Sequence, residues 1–151
     1  MQGMTALHHA ASRGHQNAML LLMHKGANLE PVNHSLDTPL HLASQNGHES
    51  CVKAIVYYAE HSRQPINTSC QNINGDTPLH FAARWGFQSI VLLLAETGAS
   101  ITIPNNRHMT PMDCSHNIHI QHILQNSLQR RSYMHDSTHH GDFVNVEVRR
   151  F

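Results

Sequence analysis

Apolar side chains gather in three dense stretches: Ala18, Leu20, Leu21 and Leu22; Val52, Ala54, Ile55 and Val56; and Ile90, Val91, Leu92, Leu93 and Leu94. None approaches the roughly 20 apolar residues that a membrane helix needs, and each has the spacing of a helix with one oily side. Ahead of each lies a thinner pattern, a small pair at Ala10-Ala11, Ala43-Ser44 or Ala82-Ala83 followed by Gly14, Gly47 or Gly86. Small side chains let one helix lie close against another, and a glycine accepts the left-handed backbone that ends a helix. The alternation predicts helix pairs, a thin inner helix of about two turns followed by an outer one. Gly26-Ala27-Asn28 and Gly98-Ala99-Ser100 stop the outer helices, after which the chain turns outward into a finger.

The pairs recur at a fixed interval. Thr5-Ala6-Leu7-His8, Thr38-Pro39-Leu40-His41, Thr77-Pro78-Leu79-His80 and a degraded Thr110-Pro111-Met112-Asp113 start 33, 39 and 33 residues apart. Thr38 and Thr77 are placed to cap their inner helices, and Pro39 and Pro78 to occupy the first turn, where no N–H is needed. The histidines fall where an imidazole links its own threonine to a carbonyl of the adjacent turn, a structural role rather than that of a catalytic base. The six extra residues in the middle interval are expected in a long loop over residues 59–68, where the glycine stop is missing. This divides the chain into repeats over 1–32, 33–70 and 71–104, a degenerate capping repeat over 105–124 and a flexible tail over 125–151. In that tail Val144, Val146 and Val148 alternate with polar residues as a short strand would. The chain opens inside a finger turn, at Met1-Gln2-Gly3, which reads as a fragment or a truncated gene product.

Thr-Pro-Leu-His at a 33-residue spacing resembles the ankyrin-repeat family. The resemblance implies an all-α solenoid of about three and a half helix-turn-helix repeats with short β-hairpin fingers, and a protein-binding module without chemistry of its own. Residues 47–58 (GHESCVKAIVYY) and 75–88 (GDTPLHFAARWGFQ) are more specific than the repeat consensus and look like the first ankyrin block of the Varp family of endosomal trafficking proteins. That likeness implies a GTP-bound Rab-type GTPase as partner and a cytoplasmic location, peripheral on endosomes. It implies no nucleotide exchange, since these residues carry only repeat sequence.

Ten basic residues balance ten acidic ones, so the chain lacks the positive footprint that nucleic acid demands. Cys51, Cys70 and Cys114 form neither a disulfide framework nor a zinc spacing, which fits a reducing interior. No nucleophile elbow, phosphate loop or HExxH is present, and neither an enzyme nor a cofactor is expected. Sixteen histidines are the compositional oddity. His116, His119 and His122 could bring two imidazoles near a metal, or could simply face water on a terminal helix that closes the stack. The reading assigns no metal, and a monomer.

The candidate partner contacts lie on the inner helices and the fingertips. Trp85 follows an Ala-Ala pair at a position that faces the concave groove, where a large aromatic is either a binding hot spot or a cover for the next repeat. Arg13, Gln45, Asn46 and Arg84 occupy the matching positions. The fingers supply Leu36, Asp37, Ile73, Asn74, Asp76, Arg107 and Met109, all expected to face solvent. Leu36 and His108 stand where Gly3 and Gly75 stand in other fingers, so Leu36 either strains its turn or touches a partner. The rival reading is a generic adaptor or spacer whose loop or tail carries the contact to a different protein.

Overall fold

The computed structural model describes the backbone of residues 3–148 and the side chains through residue 135. Its eight helices are α1 (Ala6–Arg13), α2 (Gln16–His24), α3 (Pro39–Gln45), α4 (Glu49–Ser62), α5 (Pro78–Trp85), α6 (Gln88–Glu96), α7 (Pro111–Cys114) and α8 (Ile118–Val148). Odd-numbered helices pack side by side as an inner layer, and even-numbered ones form the outer layer. One continuous core runs between the layers from Leu7 to Leu124. No described residue is in a strand. The fingers are tight turns closed by bonds such as Asn33 N–H to the Asp37 carbonyl and Leu36 N–H to the Asn33 carbonyl, too short to build the hairpin strands expected of them.

Each inner helix starts the same way. The hydroxyls of Thr5, Thr38 and Thr77 accept the backbone N–H of His8, His41 and His80, and each histidine Nδ1 accepts the N–H of its threonine in return. These capping boxes satisfy donors that a helix start leaves open. In α7 the reciprocal partner is Asp113, whose carboxylate makes the cap but, unlike an imidazole, offers no second donor to a following repeat. The inner layer is thin because Ala11, Ala43, Ala82 and Ala83 are fully buried in it. Gly14 and Gly47 serve a second purpose: a Cβ at either would lie 2.7 Å from the ring of His48 or Phe87 respectively. The following repeat therefore seats an aromatic ring directly on each helix end.

The outer helices depart from expectation in three places. In α2 the buried residues are Met19 and Met23, while Leu21 is exposed and Ala18 lies at the surface. The leucine stripe looked like the packing face, but the side that meets α4 is set by the direction of approach of the next repeat. In the second repeat the inserted residues lengthen the helix before any loop begins: α4 has 14 residues against 9 in α2 and α6, and Arg63 ends it in the left-handed region at φ 57°. The connection that follows is stitched to both neighbours, with Asn67 N–H donating to Glu30 and Ser100 N–H donating to the Ser69 hydroxyl.

The third departure is at the end of the chain. No break occurs near Gln125, because α8 runs to Val148. Ile120 and Leu124 are buried, and Leu128, one further turn along, packs on the same core. Arg131 donates at 2.8 Å to the Ala95 carbonyl in the last turn of α6, which also accepts the Gly98 N–H. The backbone of residues 144–148 is helical rather than extended. No helix among the described residues is long and apolar enough to cross a membrane.

Candidate functional site

The fingers are held by asparagines rather than by strands. Asn33, Asn72 and Asn105 are buried at one position of three successive fingers. Each side-chain oxygen accepts two N–H groups of its own turn, those of Ser35 and Asp37, Asn74 and Asp76, or Arg107 and Met109. The amide nitrogens then reach back one repeat, Asn72 to Asp37 Oδ1 at 2.9 Å and Asn105 to Asp76 Oδ1 at 2.8 Å. In the first finger Met4 stands where the aspartate would be, and Asn33 meets its sulfur.

The histidines complete the lattice in the other direction. Nε2 of His8, His41 and His80 bonds to the carbonyls of Asp37, Asp76 and Met109, at 2.8 to 2.9 Å. With Nδ1 accepting and Nε2 donating, the rings of His41 and His80 are neutral. Burial holds His41 and His80 below the ordinary histidine range, against the opposing pull of their carbonyl bonds and the nearby aspartates.

This lattice corrects two expectations of exposure. Asp37 and Asp76 do not face solvent: they are 9 % and 4 % exposed, and their carboxylates accept from the next finger. The matching asparagines went unread because their partners stand 29 and 35 residues away, although the recurrence of Asn72 and Asn105 at the 33-residue period was visible. Met109 is half-buried, its carbonyl taken by His80 and Asn105.

The remaining candidates stay accessible. Arg13 is exposed, Gln45 half-buried, and the exposed Asn46 bonds its own helix at the Leu42 carbonyl. Trp85 is 58 % exposed at the end of α5. Arg84 beside it lies over the Phe81 ring and binds both carboxylate oxygens of Asp76, at 3.1 and 3.2 Å. Burial works against the charged guanidinium, but Asp76 and the Cys114 sulfur together raise its pKa. Ile118, 33 residues beyond Trp85 and 63 % exposed, shares its repeat register. It was missed because α7 has only four residues, which hides the pattern there.

At the fingertips Leu36 is left-handed at φ 60° and 45 % exposed. The turn is therefore strained, and the side chain is exposed at its tip. Ile73 and Arg107 are exposed, as is Asn74. Ile73 N–H donates to the Ser35 carbonyl and Asn106 N–H to the Asn74 carbonyl, so successive tips form one row. Between the third and fourth fingers a cleft of about 310 Å³ is lined by Asn74, Asp76, Arg84, Asn105, Asn106 and Arg107. His116, His119 and His122 are exposed, and among the described residues no three His, Cys, Asp or Glu side chains are placed to hold a metal ion.

A family model for ankyrin repeats in three copies matches residues 1–65 and 33–105. The chain belongs to the ankyrin-repeat family. Ankyrin stacks are protein-interaction modules, which agrees with a groove built from rigid turns and exposed side chains. The chain is also similar to a putative E3 ubiquitin-protein ligase, XBAT35 of Arabidopsis thaliana, at 45% identity over 51 residues. That match covers 34% of this chain and 11% of the relative. Within the ankyrin plan, the caps, histidines and asparagines all serve the stack, and what varies outside that lattice is the concave row and the tips.

Proposed function

We propose that the chain binds a folded protein along its concave inner helices and fingertips, with Trp85 as the central anchor and a Rab-type small GTPase as the partner. The observation that carries the reading is the exposed indole. Trp85 leaves more than half its surface to solvent where the two earlier repeats carry Arg13 and Asn46, and nothing in the capping or asparagine lattice uses it. Large aromatics at such positions dominate interfaces because they bury much area at little entropic cost. The choice of a Rab-type partner, and of the cytoplasmic face of endosomes as the place, rests on the likeness of residues 47–58 and 75–88 to the Varp family.

Trp85→Ala should weaken partner binding by about 2 kcal/mol while leaving the melting temperature nearly unchanged. Pull-down with Rab proteins in GTP-like and GDP-bound forms tests the partner, and equal capture of both forms by the wild-type chain would end the effector reading. A second reading, a generic adaptor that binds elsewhere, is favoured by one observation. The lengthened α4 and its connection form an open apolar hollow with Val56, Ala59, Pro65 and Ile66 in its wall. Binding that survives Trp85→Ala but fails on Ile66→Asp would select it.

A further inference from the structure

The cleft between the third and fourth fingers has a charge pattern that the lattice does not consume. Asp76 forms part of its wall, already saturated by Asn105 and Arg84. Arg84 spends Nη2 on Asp76 and on the Cys114 sulfur, and among the described residues Nε and Nη1 have no partner. The guanidinium is preorganised, held from one side by a carboxylate and lying over the Phe81 ring. Across the cleft Arg107 is exposed and, among the described residues, in no ion pair. The lining thus carries two cations and one anion, a surplus of one positive charge.

We propose that this cleft receives a single carboxylate, the side chain of an Asp or Glu on a partner protein, clamped between Arg84 and Arg107. With Nη2 occupied, Arg84 offers a single fixed N–H donor, and the open guanidinium fork of Arg107 matches the planar geometry of a carboxylate. A monoanion balances the surplus, whereas Asp76 in the wall opposes a doubly charged phosphate. Trp85 follows Arg84 in the chain and Ile73 stands on the third fingertip, both exposed, so the recognised segment places an apolar residue next to its acid. The inference rests on the concave-face reading and names the chemistry of the partner there.

A displayed library of random peptides, panned on the full chain, supplies the probe. Recovered peptides should be enriched in an Asp or Glu beside an apolar residue. Their affinity, read by fluorescence anisotropy, should fall about tenfold or more in Arg107→Glu and only slightly in Arg107→Lys. Changing the peptide's acid to its amide should erase the difference between wild type and Arg107→Glu. A thermal melt of each variant confirms that the stack is intact. Peptides without acidic enrichment, or with equal affinity for Arg107→Glu, overturn the proposal, as does a library yielding no binder. Peptides lost on Trp85→Ala yet indifferent to Arg107→Glu would leave the concave-face reading standing and remove the carboxylate cleft alone. Indifference to both changes would remove both.

Discussion

The second and third repeats follow one plan and part at three equivalent places. Where the third finger turns on Gly75, the second turns on Leu36 in the same left-handed region. Where α5 buries Ala83, α3 buries Ser44, whose hydroxyl finds no partner among the described residues. Where α6 ends after 9 residues, α4 runs for 14. The third repeat obeys each local rule and the second breaks them, yet both carry the same cap, the same histidine and the same asparagine. The shared lattice, not local ideality, is therefore what holds a repeat in the stack, and deviations are tolerated wherever they leave that lattice alone.

If that is so, removing a lattice residue should cost far more than repairing a deviation. His41→Ala deletes a buried ring, its cap and its bond to the Asp76 carbonyl, and should lower stability by about 3 kcal/mol in urea unfolding. A loss under about 1 kcal/mol would mean that the cap alone matters. The next effect acts on both repeats at once. His41 and His80 titrate below their ordinary value near 6.5 in the folded chain, so below that pH the unfolded state binds more protons than the folded one. Stability should be full above about pH 6.5 and decline as pH falls below it. A urea midpoint unchanged between neutral and mildly acid pH would contradict neutral, buried rings.

Repairs should act in the opposite direction and be smaller. Ser44→Ala copies the third repeat and removes an unpaired buried hydroxyl, with an expected gain of about 1 kcal/mol. No rise in melting temperature would show that the hydroxyl is satisfied after all. Leu36→Gly relieves left-handed strain at the expense of chain entropy, for a net gain of about 0.5 kcal/mol. It also tests whether the strain serves contact: a more stable variant that binds its partner less well would place Leu36 in the interface. Unchanged binding would leave it a tolerated irregularity.

Much of this could be read directly from the letters. Threonine, proline and histidine at the starts of α3 and α5 act within four residues of one another, so spacing alone discloses them, and the 33-residue period discloses the stack. The same period pointed to the exposure of Trp85. Burial was less legible. Asp37 and Asp76 looked like tip residues because the asparagines that cover them belong to other repeats, and Met19 outranks Leu21 only because α4 arrives on its side.

The amino-acid order by itself determined the repeat, its caps and the interaction class, since those depend on short-range bonds and on a pattern that recurs. Only the tertiary structure decided which carboxylates are hidden, how far α4 and α8 extend, and which arginines share a cleft. Those outcomes depend on neighbours some thirty residues away, whose side of approach no local pattern encodes.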